Sequence, residues 1–354
     1  MPILTPETLN DLQISTLPAF ERGRFTEIAT DLREYHVFPN LILFKDDAAG
    51  ARMETRDGGT RIEFDVMTNH NGASKHTSIA SQDNPVKVDV LQRATVPWRF
   101  TTTQWGEFQQ ELAMNAGDME KIVDIQLAQD KAALISLAVL MENTWWGPPV
   151  DSADTLTPYG CFTWFPKSAS SGFLGGFPSG FTTLGLNNQH SRWKHYVDAY
   201  TDATSDDLFY KLWLAVLRTM FKNPVAGIPN LDEGVKRGTY MNTTTYVAFA
   251  REAMRQNDNV GYDLTRAQGI TFFMNVPCFT VPKLDADTTN PVINLDWSTI
   301  KCIALKAWWL KRLNINNYPG QHTTNAKFID SQYNFVCWNR RKNAVLAMGT
   351  TYPS

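Results

Sequence analysis

The residues able to carry chemistry are few and badly spaced for it. The six histidines are His36, His70, His76, His190, His195 and His322. Two imidazoles hold a metal from one helix when they lie three or four residues apart, but His190 and His195 are five apart. No Cys or acid completes a set around them. His70 and His76 fall in a polar string and are read as solvated. The four cysteines, Cys161, Cys278, Cys302 and Cys337, are widely separated in apolar strings with no Cys-x-x-Cys, the pattern of reduced, buried thiols in an intracellular protein.

Short motifs fail on single positions. Lys167-Ser168 could end a phosphate loop, but Pro166 stands where a glycine must let backbone approach phosphate. The glycines from Gly172 to Gly180 are spaced by aromatics and do not make a dinucleotide turn. Asp285-x-Asp287 opens like a calcium loop, yet Asn290 replaces its glycine and no Glu closes it. There is no nucleophile elbow and no His-Glu-x-x-His. Asp46-Asp47 and Asp206-Asp207 read as a turn and a helix start, and Asn242-Thr243-Thr244 as a chance sequon. The expectation is no catalytic residue, no metal site and no cofactor. An intracellular enzyme whose site assembles only in space is the alternative.

The scaffold is more telling than the candidate chemistry. The chain has 354 residues, enough for a sizeable core and two or more subdomains. Its net charge of -3 argues against a protein that mainly grips nucleic acid. The charge is uneven: from Lys301 onward it sums to +7, and the rest to -10. A basic tail of this kind suits an acidic surface on a neighbouring chain or elsewhere in this one, with a phosphate-binding patch as the rival. The N-terminal string lacks the basic and apolar regions of a signal peptide, and no apolar run is long enough to span a membrane.

Met119 to Trp146 is the longest predicted element. No Pro or Gly interrupts it, Asn115 or Asp118 can cap it, and Gly147-Pro148-Pro149 stops it. Residues 1 to 19 read as an apolar arm, Phe20 to Tyr35 as a short amphipathic helix, and Leu41 to Phe44 as a buried strand. Strict alternation of Ile62, Phe64 and Val66 with Arg61, Glu63 and Asp65 predicts a strand over Thr60 to Thr68. Val86, Val88 and Val90 alternate in the same way, and Val96 to Thr103 extends that second strand. The pair would be a long ribbon with a polar tip, whose apolar side needs cover from its own body or another chain.

Residues 150 to 200 are rich in Gly and aromatics and read as a well-packed irregular insertion. A helix follows, capped by Ser205, with Phe209, Leu212, Trp213, Val216, Leu217 and Met220 as its buried face, and another runs from Thr244 to Gln256. Strands are predicted at Ile270 to Asn275, Pro291 to Leu295 and Ile300 to Ala307. Lys327 to Met348 reads as a paired-strand ending.

The stretches Arg61 to Met67, Val86 to Thr103, Met119 to Trp146 and Asn334 to Leu346, in this order, resemble the major capsid protein of tailed bacteriophages. The resemblance covers most of the chain. It implies an α+β, Hong Kong 97-like capsid fold with an N-terminal arm, an extended β-ribbon loop, a long spine helix and a mixed central domain. The implied divisions are 1–35 arm and short helix, 36–49 peripheral-domain strand, 50–104 extended loop, 105–149 peripheral domain with the spine, 150–295 central axial domain and 296–354 closing strands.

It further implies a non-enzymatic homo-oligomer of pentamers and hexamers. These would close into an icosahedral virion shell around double-stranded DNA, assembled in the host cytoplasm. Scaffolding, portal and decoration proteins are the implied partners, and no membrane is involved. The ribbon would lie over a neighbouring subunit, and the basic tail could pair with a neighbour's acids. The inter-subunit contact candidates are therefore Ile62, Phe64, Val66, Val86, Val88, Val90, Arg340 and Arg341. An encapsulin-type shell enclosing protein cargo is the alternative within the same fold. Covalent crosslinking through Lys75 is known in kind for such shells, but no Asn partner follows from the sequence.

Overall fold

The computed structural model describes residues 32, 34–42, 53–72, 74–78, 87–114, 119–178, 190–221, 237–260, 271–315 and 323–349. The expected arm, nearly all of the Phe20 to Tyr35 helix, the far part of the ribbon tip, Val86 and Phe181 lie outside these residues.

The first described element is a short helix, α1 (Val37–Leu41). Its last residue, Leu41, is where the strand Leu41 to Phe44 was expected to begin, and Leu43 and Phe44 lie outside the described residues. Leu41 and Ile42 are buried as anticipated, Leu41 as the last residue of the helix and Ile42 just after it. Strands β1 (Glu54–Arg56), β2 (Arg61–Met67), β3 (Leu91–Pro97) and β4 (Arg99–Phe108) follow. Helix α2 (Gln109–Met114) leads into the long helix α3 (Met119–Trp145). Next come α4 (Cys161–Trp164), β5 (Gly172–Gly175) and β6 (His195–Tyr200). A π-turn, Ser205–Phe209, opens α5 (Tyr210–Thr219). The chain continues through β7 (Arg237–Met241), α6 (Thr243–Val260), β8 (Thr271–Phe273), β9 (Val276–Thr280), β10 (Val292–Asp296), β11 (Ile300–Leu305), β12 (Lys311–Ile315), β13 (Thr324–Cys337) and β14 (Ala344–Met348).

Three sheets result. A five-stranded sheet runs β1-β11-β13-β12, with β4 on the other side of β13. A seven-stranded sheet runs β5-β6-β14-β10-β7-β9-β8, and β2-β3 form a ribbon. The two larger sheets are mixed: β1/β11, β6/β14 and β7/β9 are parallel, and the other pairs antiparallel. The β8–β9 loop is Met274-Asn275, both at positive φ, as a two-residue hairpin of the twist-matched kind requires.

Three expectations change. The closing segment is not a paired ending. β13 sits in one large sheet and β14 in the other, with a 3-10 turn at Arg340–Lys342 between them. The second ribbon strand starts at Leu91, so Val88 and Val90 precede it. After Trp98 the chain leaves the ribbon, and β4 joins the five-stranded sheet. On α5, Leu212 and Val216 are buried, but Trp213, Leu217 and Met220 point outward. The sequence pattern has more apolar residues than one helix face can cover.

Two apolar clusters hold these parts. In the first, Leu137, Met141 and Trp145 of α3 join Ile62 and Phe64 of the ribbon and Cys302 and Phe335 of the five-stranded sheet. In the second, α5 and α6 lie on the seven-stranded sheet, with Phe209 and Phe249 stacked at a centroid distance of 4.2 Å. Burying a side chain of this size contributes roughly 1.5–3 kcal/mol.

Candidate assembly site

The end of the long helix is tied down by one carboxylate. Glu142 is buried, and its Oε1 accepts the backbone N–H of His36 at 2.9 Å and the indole N–H of Trp146 at 2.8 Å. Its Oε2 accepts the N–H of Val37 at 2.9 Å. Val37 opens α1, so the carboxylate meets donors that have no partner within that helix. The His36 ring lies 3.0 Å from the Thr280 carbonyl and 5.0 Å, edge-on, from Tyr240. Below this junction Gly160 passes so close that a Cβ would stand 2.6 Å from the Thr144 carbonyl oxygen. The position admits no side chain without moving backbone.

A second junction is built on Arg340, which is fully buried. It donates from Nε to the Trp164 carbonyl at 2.8 Å and from Nη1 to the Trp193 carbonyl at 2.9 Å. Nη2 reaches the carbonyls of Gly175 and Gly176 at 3.2 and 2.7 Å, and Nδ1 of His195 at 3.1 Å. The Phe177 ring covers the guanidinium at 4.0 Å. Burial lowers its pKa to about 9, so it stays charged at neutral pH. His195 accepts this bond on Nδ1, which leaves Nε2 to donate to the Pro166 carbonyl at 3.0 Å. Burial first, and then the Arg340 charge, hold the imidazole well below its ordinary value and keep it neutral. Arg340 had been placed among contacts to a neighbour's acids; the structure spends its donors within this chain. Arg341 is half-buried, stacked over Phe221 at 4.1 Å.

Four other cations of the basic tail pair with acids of the same molecule. Lys301 pairs with Glu54 at 3.4 Å, Lys306 with Asp57 at 3.5 Å, Arg312 with Asp130 at 2.8 Å and Lys327 with Glu107 at 3.3 Å. Lys311 lies over the Trp308 ring at 4.0 Å. The asymmetry along the sequence is thus partly offset in space, because the closing strands lie among elements from the first half.

On the ribbon, Ile62 and Phe64 face the first apolar cluster, with Phe64 4.9 Å from Trp338. Their cover comes from this chain. Val66 and Val90 are half-buried and Val88 is exposed, while Val86 lies outside the described residues. The outer face carries Arg93, bound to Asp65 at 2.9 Å and Glu63 at 3.3 Å. Other large apolar side chains are exposed on α5, on α3 at Leu127 and Leu140, and at Phe100.

The residues considered for chemistry are not gathered. All four cysteines are buried, and burial raises their thiols. His70 lies against Arg192 at 3.1 Å and not against another histidine. Among the described residues no group of three or more His, Cys, Asp or Glu side chains could hold a metal. A cleft of about 870 Å³ is lined by Trp146, Pro149, Phe162, Lys167, Phe177 and Asp287. Lys167 donates to the Asp287 carboxylate and, at 2.8 Å, to Thr289 Oγ1. Burial works against the Asp287 charge, but the Lys167 and Thr289 hydrogen bonds outweigh it and lower its pKa. The cleft's central charges therefore neutralise each other. Neither junction was marked by a sequence motif; Glu142 within an apolar helix face was the one available signal for the first.

No family model and no curated protein matches the sequence. Solved structures do match the fold. A capsid asymmetric unit of cyanophage A-1(L) aligns with a TM-score of 0.63 at 10% identity, covering 97% of this chain and 98% of that one. Gordonia phage Cozz gives 0.53 at 11% identity, covering 95% and 92%. The capsid of a native GTA particle, computed with C5 symmetry, gives 0.51 at 11% identity, covering 84% and 88%. The long helix, the ribbon and the two mixed sheets are together the Hong Kong 97-like fold of tailed-phage capsid proteins, and this chain has that fold.

Proposed function

We propose that this chain is a major capsid protein: a structural, non-enzymatic subunit that assembles as pentamers and hexamers into an icosahedral shell around double-stranded DNA. One observation carries the reading. The correspondence with a capsid subunit runs over 97% of this chain and 98% of the other, so little of either is left for a separate task.

The parts fit the role. Residues 150–295, joined by β14, form the central domain that gathers around a capsomer axis, and 105–149 with most of 296–354 form the peripheral domain. The extended loop over a neighbour is the part of 50–104 between β1 and β4, since those two strands belong to the five-stranded sheet. Within that loop the contact residues are the exposed Val88 and the half-buried Val66 and Val90, and Arg341 lies at a second contact. A net charge of -3 suits a container that holds DNA without gripping it. The shell forms in the host cytoplasm and becomes the virion capsid, with scaffolding, portal and decoration proteins as its partners.

Electron microscopy and sedimentation velocity of the purified chain test this. Capsomers or closed shells are expected. A monomer that stays monodisperse at high concentration overturns the shell reading. Nuclease-protected double-stranded DNA inside particles from the natural source supports the DNA reading, and protein cargo in its place overturns that part.

A further inference from the structure

Helix α5 carries an apolar stripe that the described residues leave about half exposed. Tyr210, Trp213, Leu217 and Met220, spaced three, four and three residues apart, lie on one face and are 59%, 53%, 50% and 46% exposed. Side chains of this size left half-exposed present roughly 500 Å² of apolar surface, in the range of about 300–600 Å² that marks interaction patches on monomers. That is more than half of the ~800 Å² each partner buries in a standard stable interface.

The opposite face of α5 is occupied. Leu212, Ala215 and Val216 pack on the seven-stranded sheet, so the helix cannot roll to hide the stripe. The charged residues beside it are already engaged. Lys211 binds Asp207 at 2.5 Å and the Ala199 carbonyl at 2.6 Å, and Arg218 reaches the Tyr196 hydroxyl at 3.4 Å. An apolar centre with internally paired charges at its rim is the make-up of a protein–protein contact, and it offers little to nucleic acid.

We infer that this stripe docks a second copy of the same chain, as a subunit contact within the capsomer, with Trp213 as its anchor. The choice of partner rests on the shell reading, in which each subunit's neighbours are copies of itself. The patch supplies more than half of the area that each partner buries in a standard stable interface, so a copy seated on it needs only modest further contact around the rim.

Two measurements test it on the full chain. In the first, Trp213→Lys and Leu217→Lys are made at these exposed positions. The yield of sedimenting assemblies is expected to fall at least tenfold, while the thermal midpoint of the unassembled subunit shifts by only a few degrees. In the second, a photoreactive benzoylphenylalanine replaces Trp213, and this chain is mixed with a mass-tagged copy. Cross-links joining the two chains are expected. Wild-type assembly yield in both Lys variants, or cross-links confined to one chain or made to another protein, overturns the inference and leaves the shell reading standing. A wild-type chain that never assembles overturns both.

Discussion

The carboxylate of Glu142 accepts the backbone N–H of His36 at 2.9 Å, across a sequence separation of 106 residues. Through this contact the last turns of the long helix organise the start of a helix that arrives much earlier in the chain. Replacing it removes the partner of three buried or part-buried donors at once. Glu142→Ala is expected to destabilise the subunit by about 2–4 kcal/mol, and Glu142→Gln by less, because one acceptor oxygen survives. Urea denaturation followed by tryptophan fluorescence measures both, and equal losses for the two variants would contradict the account.

Arg340 and Arg341 are neighbours with different weights. Arg340→Lys replaces a planar fork with a point charge and strands several buried carbonyls, at an expected cost of about 2–4 kcal/mol. Arg341→Lys loses a stacking contact on a half-buried side chain and is expected to cost under about 1 kcal/mol. Denaturation midpoints of the two variants should separate clearly.

Gly160 faces the terminal carbonyls of the long helix. Gly160→Ala puts a methyl where 2.6 Å is available to the Thr144 oxygen. The neighbour is backbone and cannot swing aside, so a loss of about 1–3 kcal/mol is expected. An unchanged thermal midpoint would show that the two segments are not held this close.

Acid should weaken the subunit through His195. Its folded pKa is depressed, so at mildly acidic pH the unfolded chain binds a proton there that the folded chain does not. Stability then rises with pH up to the unfolded value of 6.5 and is lost as pH falls below it. The slope from this one group is at most about 1.4 kcal/mol per pH unit. Denaturation at pH 7.5 and pH 5.5 should show the loss, and His195→Gln should reduce the difference between the two.

The ion pairs of the closing segment should be unequal. Arg312→Gln breaks an exposed pair and is expected to cost under about 1 kcal/mol, less still in high salt. Lys327→Met strands the buried Glu107 carboxylate, at an expected cost of about 2 kcal/mol or more. Denaturation of both variants at low and high salt checks the order.

Much of the fold could be read from residue patterns. The uninterrupted run from Met119, the alternation from Arg61 and the run from Thr244 produced elements close to those observed, since propensity and periodicity act locally there. What could not be read depends on distant partners. Leu41 sits in a short helix because Glu142 caps that helix's start. Trp213 and Leu217 look like core by type, and only the placement of Leu212 and Val216 against the sheet shows that they face out. The basic tail showed its charge but not its acids, because Glu54, Asp57, Glu107 and Asp130 reach it only through the sheet order. The contact candidates divided for the same reason. Ile62, Phe64 and Arg340 have the right chemistry for an interface, but their own chain uses it.

Both large sheets are completed from the same closing stretch. β13 lies between β4 and the β11/β12 side of one sheet, and β14 lies between β6 and β10 in the other. Until these two strands are in place, each sheet has a gap at its middle. Sheet pairings of such wide separation also form slowly. Neither sheet closes before the segment from β13 to β14 has folded, so the two sheets are expected to form together.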